Sequence, residues 1–211
     1  KYLQMNPAVL IKEPATPYAG HNPTRSEIII GYGVLGLGFH TGHFLAMRRI
    51  QTSTFGPAYT SVWHRNPSGE WTFYADAMPQ FSCSRYFSSM LHQMVETPIS
   101  LEWMTDTSFR VRVESAGLEW EISLTSDMST RCLNAIAGLI PAPLWVRAGF
   151  LRLISRIVSA VMRWGKVAFN GNAPNGQEFK VNLQRVWKIA DSRASMAGLD
   201  FGKPAEAPPQ M

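Results

Sequence analysis

The side chains here with the clearest capacity for acid–base work are His64, Asp76, Tyr86, His40 and His43. His64 and Asp76 fall on the two arms of a predicted hairpin over 59–76, and Arg85 and Tyr86 begin the segment after it. An imidazole oriented by a carboxylate, with a phenol donor beside it, can protonate an alkene or shift a proton next to a carbonyl. Such chemistry needs no cofactor, and a dry aromatic surround would stabilise developing positive charge. Trp63, Trp71, Phe73, Trp103 and Trp120, with Arg85 at the rim, are the expected lining of that surround.

His40 and His43 lie in Phe39-His40-Thr41-Gly42-His43-Phe44. On a regular strand this spacing places them on opposite faces, so they are not a natural metal pair unless Gly42 bends the chain. Only Asp76, Glu70 or His64 could add a ligand, and no ligand spacing is recognisable, so no metal is expected. Either histidine alone could act as a general base, since imidazole titrates near neutrality.

Glu27-Ile28-Ile29-Ile30-Gly31-Tyr32-Gly33-Val34-Leu35-Gly36 is an apolar run entering G-x-G-x-x-G. In a nucleotide-binding oxidoreductase that loop presents helix-start amides to a pyrophosphate. The fingerprint requires a helix next and an acid at the end of the following strand. Here Gly38 and Gly42 interrupt the would-be helix, and Ser61, Trp63 and His64 occupy the would-be strand. A glycine-bent β-strand is the reading preferred. No nucleophile elbow, phosphate loop, paired-cysteine motif or zinc-protease motif is present.

The elements that must position these residues are mostly strands. From Ile99 to Leu124 apolar and polar residues alternate in three runs: Ile99, Leu101, Trp103, then Phe109, Val111, Val113, then Leu118, Trp120, Ile122, Leu124. That is a three-strand meander with one apolar and one charged face. Its arginines can lie opposite glutamates, each pair contributing only roughly 0.2–1 kcal/mol but fixing register. Asn66-Pro67-Ser68-Gly69 reads as the turn of the 59–76 hairpin. Helical spacing of Tyr86, Phe87, Met90, Leu91 and Met94 predicts a short amphipathic helix over Ser82 to Val95. Asn-Gly turns and alternation from Phe179 to Ala190 predict a closing hairpin.

A helical segment over 132–167, with helical spacing from Leu133 to Val167, is broken at Pro141 and Pro143. After Trp145 its apolar residues fill about half a helical wheel, with Arg152, Arg156 and Arg163 on the other side. That face could lie on an anionic membrane; alternatively the apolar side packs on the sheet with the arginines in water. The arginines exclude a buried membrane span, and nothing resembles a signal peptide.

Length and composition fit this outline. The 211 residues suit one domain, with 17% charged residues and abundant aromatics pointing away from disorder. The expected organisation is an extended arm over 1–26, a single domain over 27–201 and a disordered tail over 202–211. The net charge of +5 is concentrated between Arg131 and Arg193, where only Glu178 and Asp191 are acidic. No motif accompanies it that would read nucleic acid. Cys83 and Cys132 are expected to be small buried side chains, with a single disulfide as the alternative.

The fold class that follows is mainly β: an antiparallel lipocalin-like barrel, or a sandwich, with one short helix and one long basic amphipathic helix. The likeness is one of architecture alone. An apolar terpenoid, polyketide, lipid or aromatic ligand in the interior is the expected partner. Cofactor-independent turnover of the hydratase, isomerase or cyclase kind is the leading expectation, because a pure carrier of apolar cargo does not need polar residues at the mouth; the alternatives are a non-catalytic carrier and a membrane-peripheral protein. A cytoplasmic location is expected, and the oligomeric state is left open.

Overall fold

The computed structural model describes residues 6–10, 27–162, 168–182 and 184–205. In chain order its elements are α1 (Pro7–Leu10), β1 (Ile29–Phe39), β2 (Phe44–Ser53), β3 (Tyr59–Arg65) and β4 (Trp71–Ala75). Then come α2 (Ser84–Phe87), β5 (Gln93–Glu96), β6 (Ile99–Trp103), β7 (Ser108–Val113), β8 (Leu118–Thr125), α3 (Met128–Leu139) and α4 (Ala148–Met162). The chain continues with β9 (Asn170–Asn172), β10 (Glu178–Lys180), β11 (Lys188–Met196), β12 (Leu199–Asp200) and β13 (Pro204–Ala205).

The protein is mainly β. One six-stranded sheet runs β13-β1-β2-β3-β4-β5, one five-stranded sheet runs β12-β11-β8-β7-β6, and β9 and β10 form a separate hairpin. The two large sheets pack face to face. Val34, Met47, Val62 and Tyr74 of the first meet Val111, Val113, Leu118, Trp120 and Ile122 of the second in one buried cluster. The meander forms as its alternation predicts, with Arg110 opposite Glu121 and Arg112 opposite Glu119 on the outer face. Both pairs are ion-paired.

A closed barrel is not formed. The chain passes between the sheets at both edges, from β5 to β6 and from β12 to β13, but no ladder joins them there among the described residues. Pro98, which lacks an N–H to donate, stands at the β5–β6 corner. The interior is also well filled, since Met47, Val62, Val111, Val113 and Trp120 are fully buried.

The G-x-G-x-x-G run lies inside β1, which continues to Phe39 and pairs antiparallel with β2, so no helix start follows it. Its glycines permit close approach: a Cβ on Gly31 would lie 2.1 Å from the Arg49 carbonyl oxygen, and one on Gly33 2.0 Å from that of Met47. A bulge between Val34 and Leu37 turns carbonyls away from the ladder. The Arg48 guanidinium takes them, donating to the Val34, Leu35 and Met47 oxygens. Burial pushes its pKa down.

Several expectations need correction. The helix over Ser82 to Val95 is confined to Ser84–Phe87 and a following 3-10 turn, because Gln93–Glu96 is drawn into a parallel ladder with β4. Such a long-range pairing leaves no local period. In place of the long closing hairpin, β9 and β10 make a short one, and β11 pairs with β8. The helical segment begins at Met128, where the Asp127 side chain accepts from the Thr130 N–H at 2.9 Å. In the C-terminal tail, Pro204 and Ala205 pair with Phe39 and Gly38; 206–211 lie outside the described residues. Of the N-terminal arm, Pro7–Leu10 form one helical turn, and 1–5 and 11–26 lie outside the description. Cys132 is exposed and Cys83 half-buried, and both thiols are free.

Candidate functional site

Three rows of side chains cross the inner face of the six-stranded sheet. The middle row is Val34, Met47, Val62, Tyr74 and Val95 in ladder order. It is apolar and fills the space beneath the second sheet. The rows on either side are mixed: Leu37, Leu45, His64 and Thr72 on one, and Tyr32, Arg49 and Thr60 on the other.

The Tyr32–Arg49–Thr60 row floors a cleft of about 790 Å³, open between the sheets at the β6 edge. Ile99, Leu101 and Trp103 of β6 form its apolar wall; Ala8, Gln51, Ala58 and Met104–Asp106 complete it. Arg49 Nη1 donates to Thr60 Oγ1 at 2.9 Å. Tyr32 is pushed up in pKa by burial, opposed by a hydrogen bond from Trp103 and by the Arg49 charge. Trp103 leans on Phe109 with ring centroids 4.9 Å apart. The α1 turn lies across the mouth, where the Ala8 N–H reaches the Asp106 carbonyl at 3.3 Å. A volume of this size suits a small organic ligand. The chemistry offered is an apolar wall over a floor with one guanidinium, one phenol and one hydroxyl. A neutral or acidic polar end would find donors there.

The sequence-predicted acid–base residues are dispersed. A left-handed backbone at Gly42 (φ +84°) turns His43 inward and leaves His40 exposed. His43 pairs with His64 instead, Nδ1 to Nε2 at 2.8 Å, both rings buried. One neutral imidazole donates and the other accepts. Phe201 stacks on His43 with centroids 3.9 Å apart and planes 1° from parallel. Burial, and next the His43 neighbour, push the His64 pKa down to about 4; burial also lowers that of His43. His64 and the cleft floor are separated by the apolar Met47–Val62 row.

Asp76 is not beside His64. Its Oδ1 accepts from the Thr60 N–H, closing the end of the β3–β4 ladder. Four residues of strand separate that position from His64, about 13 Å. Tyr86 and Arg85 sit on the opposite face of the same sheet. There Tyr86 Oη donates to Glu27 Oε2, and Arg85 Nη2 lies 3.2 Å from Glu27 Oε1. The Arg85 guanidinium lies over the Phe55 ring at 5.2 Å. Burial and the Glu27 hydrogen bond raise the Tyr86 pKa, against the pull of Arg85.

The aromatic residues divide in the same way. Trp63 meets Trp71, Phe73 and Phe87 edge-on at 4.7–6.2 Å on the outer face, beneath the β4–β5 crossover. Trp120 is wholly buried, donating from Nε1 to Ser192 Oγ at 2.8 Å. Of the expected ligand-binding residues only Trp103 lines the cleft. Tyr32, Arg49 and Thr60 were missed. The available signal was parity: in Leu45-Ala46-Met47-Arg48-Arg49 one of two adjacent arginines has to share the face of Leu45 and Met47. Among the described residues no group of histidine, cysteine, aspartate or glutamate is placed to hold a metal, and no helix is long and apolar enough to cross a membrane.

No protein-family model, curated protein or solved structure matches the chain.

Proposed function

We propose that the protein binds an amphiphilic small molecule in the cleft between its sheets, apolar body on Ile99, Leu101 and Trp103 and polar end on Arg49. The observation that carries this reading is the Tyr32–Arg49–Thr60 row at the floor of a cleft of about 790 Å³ that Ile99, Leu101 and Trp103 line along one side. Partly enclosed guanidinium groups favour carboxylate or phosphate heads through charge-assisted hydrogen bonds. A lipid or a terpenoid acid has the required shape. Turnover of the hydratase, isomerase or cyclase kind would need His64, His43 or Asp76 against the ligand. None of the three lines the cleft, so binding without turnover is the preferred reading.

The test uses an anthroyloxy-labelled fatty acid and its methyl ester, followed by energy transfer from tryptophan. Arg49→Gln should weaken the acid about tenfold and leave the ester unchanged, the size expected for losing one charged hydrogen bond. Trp103→Ala should weaken both. Binding that ignores both substitutions would remove the cleft from consideration.

A further inference from the structure

The two helices between β8 and β9 make a small core of their own. Trp145, Leu151 and Phe169 are its buried members, with Leu133, Ala137, Ile140 and Ile154 packed around them. Leu151 and Ile154 of α4 therefore pack here, with Trp145 and Phe169. This satisfies only one side of each helix.

The opposite side of α3 is apolar and bare. Met128, Cys132, Ala135, Ile136 and Leu139 recur at i, i+4, i+7, i+8 and i+11 and are all exposed. Met128 keeps 79% of its surface in solvent and Leu139 82%. On α4, Leu153 (54%) and Ile157 (42%) protrude beside exposed Arg152 and Arg156. Isolated exposed leucines need no explanation, but a helical stripe of large apolar residues does.

Charge decides among occupants. Residues 128–177 contain no aspartate or glutamate, yet hold Arg131, Arg147, Arg152, Arg156, Arg163 and Lys166; of these Arg163 and Lys166 lie outside the described residues. A second copy seated on this surface would set like charges against each other. An anionic bilayer accepts both features, because apolar side chains enter the acyl boundary while arginines meet the headgroups. We infer that the α3–α4 helical pair docks this protein on an anionic membrane surface. The inference rests on these helices alone and is independent of the cleft.

The experiment is co-sedimentation with phosphatidylcholine vesicles containing about one third phosphatidylserine, against pure phosphatidylcholine. The wild type should partition onto the anionic vesicles and not the neutral ones, and raised salt should release it. Arg152→Gln with Arg156→Gln should lower partitioning roughly thirtyfold, at the usual contribution of a basic residue near such a surface. Ile136→Ser with Leu139→Ser should weaken it at low salt, where both arginines are still in place. All four positions are exposed, so unchanged melting temperatures are expected and verify folding. Failure of the wild type to bind anionic vesicles would overturn the inference. So would binding that neither pair of substitutions alters, or self-association in sedimentation velocity that the leucine and isoleucine changes abolish, which would identify a second copy as the occupant.

Discussion

Lowering the pH should destabilise this protein through its buried histidine pair. The folded state holds His64 neutral, its pKa lowered from 6.5 to about 4 by burial and by His43. Protons therefore bind the unfolded chain more tightly than the native one. The stability associated with neutral His64 is complete above pH 6.5 and is lost as pH falls from 6.5 towards 4, below which it changes no further. The full loss is about 3 kcal/mol at 1.36 kcal/mol per pKa unit. Between about pH 7.5 and about pH 5 it is roughly 2 kcal/mol. For a chain of this size that is a fall of roughly 4–8 °C in melting temperature. His43, also lowered by burial, adds to the same window in the same direction.

The window is separable from carboxylate titration. Asp127, held low chiefly by the Lys188 hydrogen bond and next by Ser129, stabilises the fold above the ordinary carboxylate range and loses that effect only as pH falls below it. Urea unfolding at steps between about pH 7.5 and about pH 5, on the wild type and on His64→Gln, isolates the histidine contribution. The wild type should lose roughly 2 kcal/mol across the range and the variant much less. A wild-type profile that is flat there, or a variant with the same slope, would refute the argument from burial.

Three further predictions test the packing and the helical backbone. Gly33→Ala should cost about 1–3 kcal/mol by calorimetry, because its Cβ would lie 2.0 Å from the Met47 oxygen and the β1–β2 ladder would have to part. Gly138→Ala, in α3 with nothing within 4 Å of the new methyl, should stabilise by up to about 1 kcal/mol. Met47→Ala should cost about 2–5 kcal/mol in denaturant, since Met47 is wholly buried in the middle row. A hollow interior would tolerate that truncation with little loss.

The meander was legible because its information is local. Phe109, Val111 and Val113 alternate with arginines, and a one-residue slip would expose the core face, so sequence and register had one solution. The crossover after β4 was not legible, because Met94 and Val95 satisfy a helical period with Tyr86 and Leu91 while their ladder partners lie about twenty residues back. His43 and His64 were both singled out, but their pairing depends on the left-handed turn at Gly42 and on Phe201, which arrives from the far end of the chain. Arg48 and Arg49 show the limit of composition. Adjacent in sequence, one binds the carbonyls freed by the β1 bulge, and the other floors the cleft.

The aromatic richness of the chain suggested a lined cavity, but the six-stranded sheet gives it a different cause. The middle strands of this sheet are covered on both faces: by the five-stranded sheet on one, and by the β4–β5 crossover on the other, where Ile50, Tyr59, Phe73 and Ala75 form a second cluster with Trp63 and Leu91. A sheet buried on both sides needs large apolar side chains at both parities of its strands, which explains why Trp63 and Phe73 face away from Val62 and Tyr74. Two covered faces leave a ligand few places to go. Among the described residues, a row of the inner face stops being apolar where the opposing sheet ends, at Tyr32, Arg49 and Thr60 under the edge strand β6. The apolar middle row fills the centre of the inner face, and the candidate cleft lies beside it at one end of the sandwich.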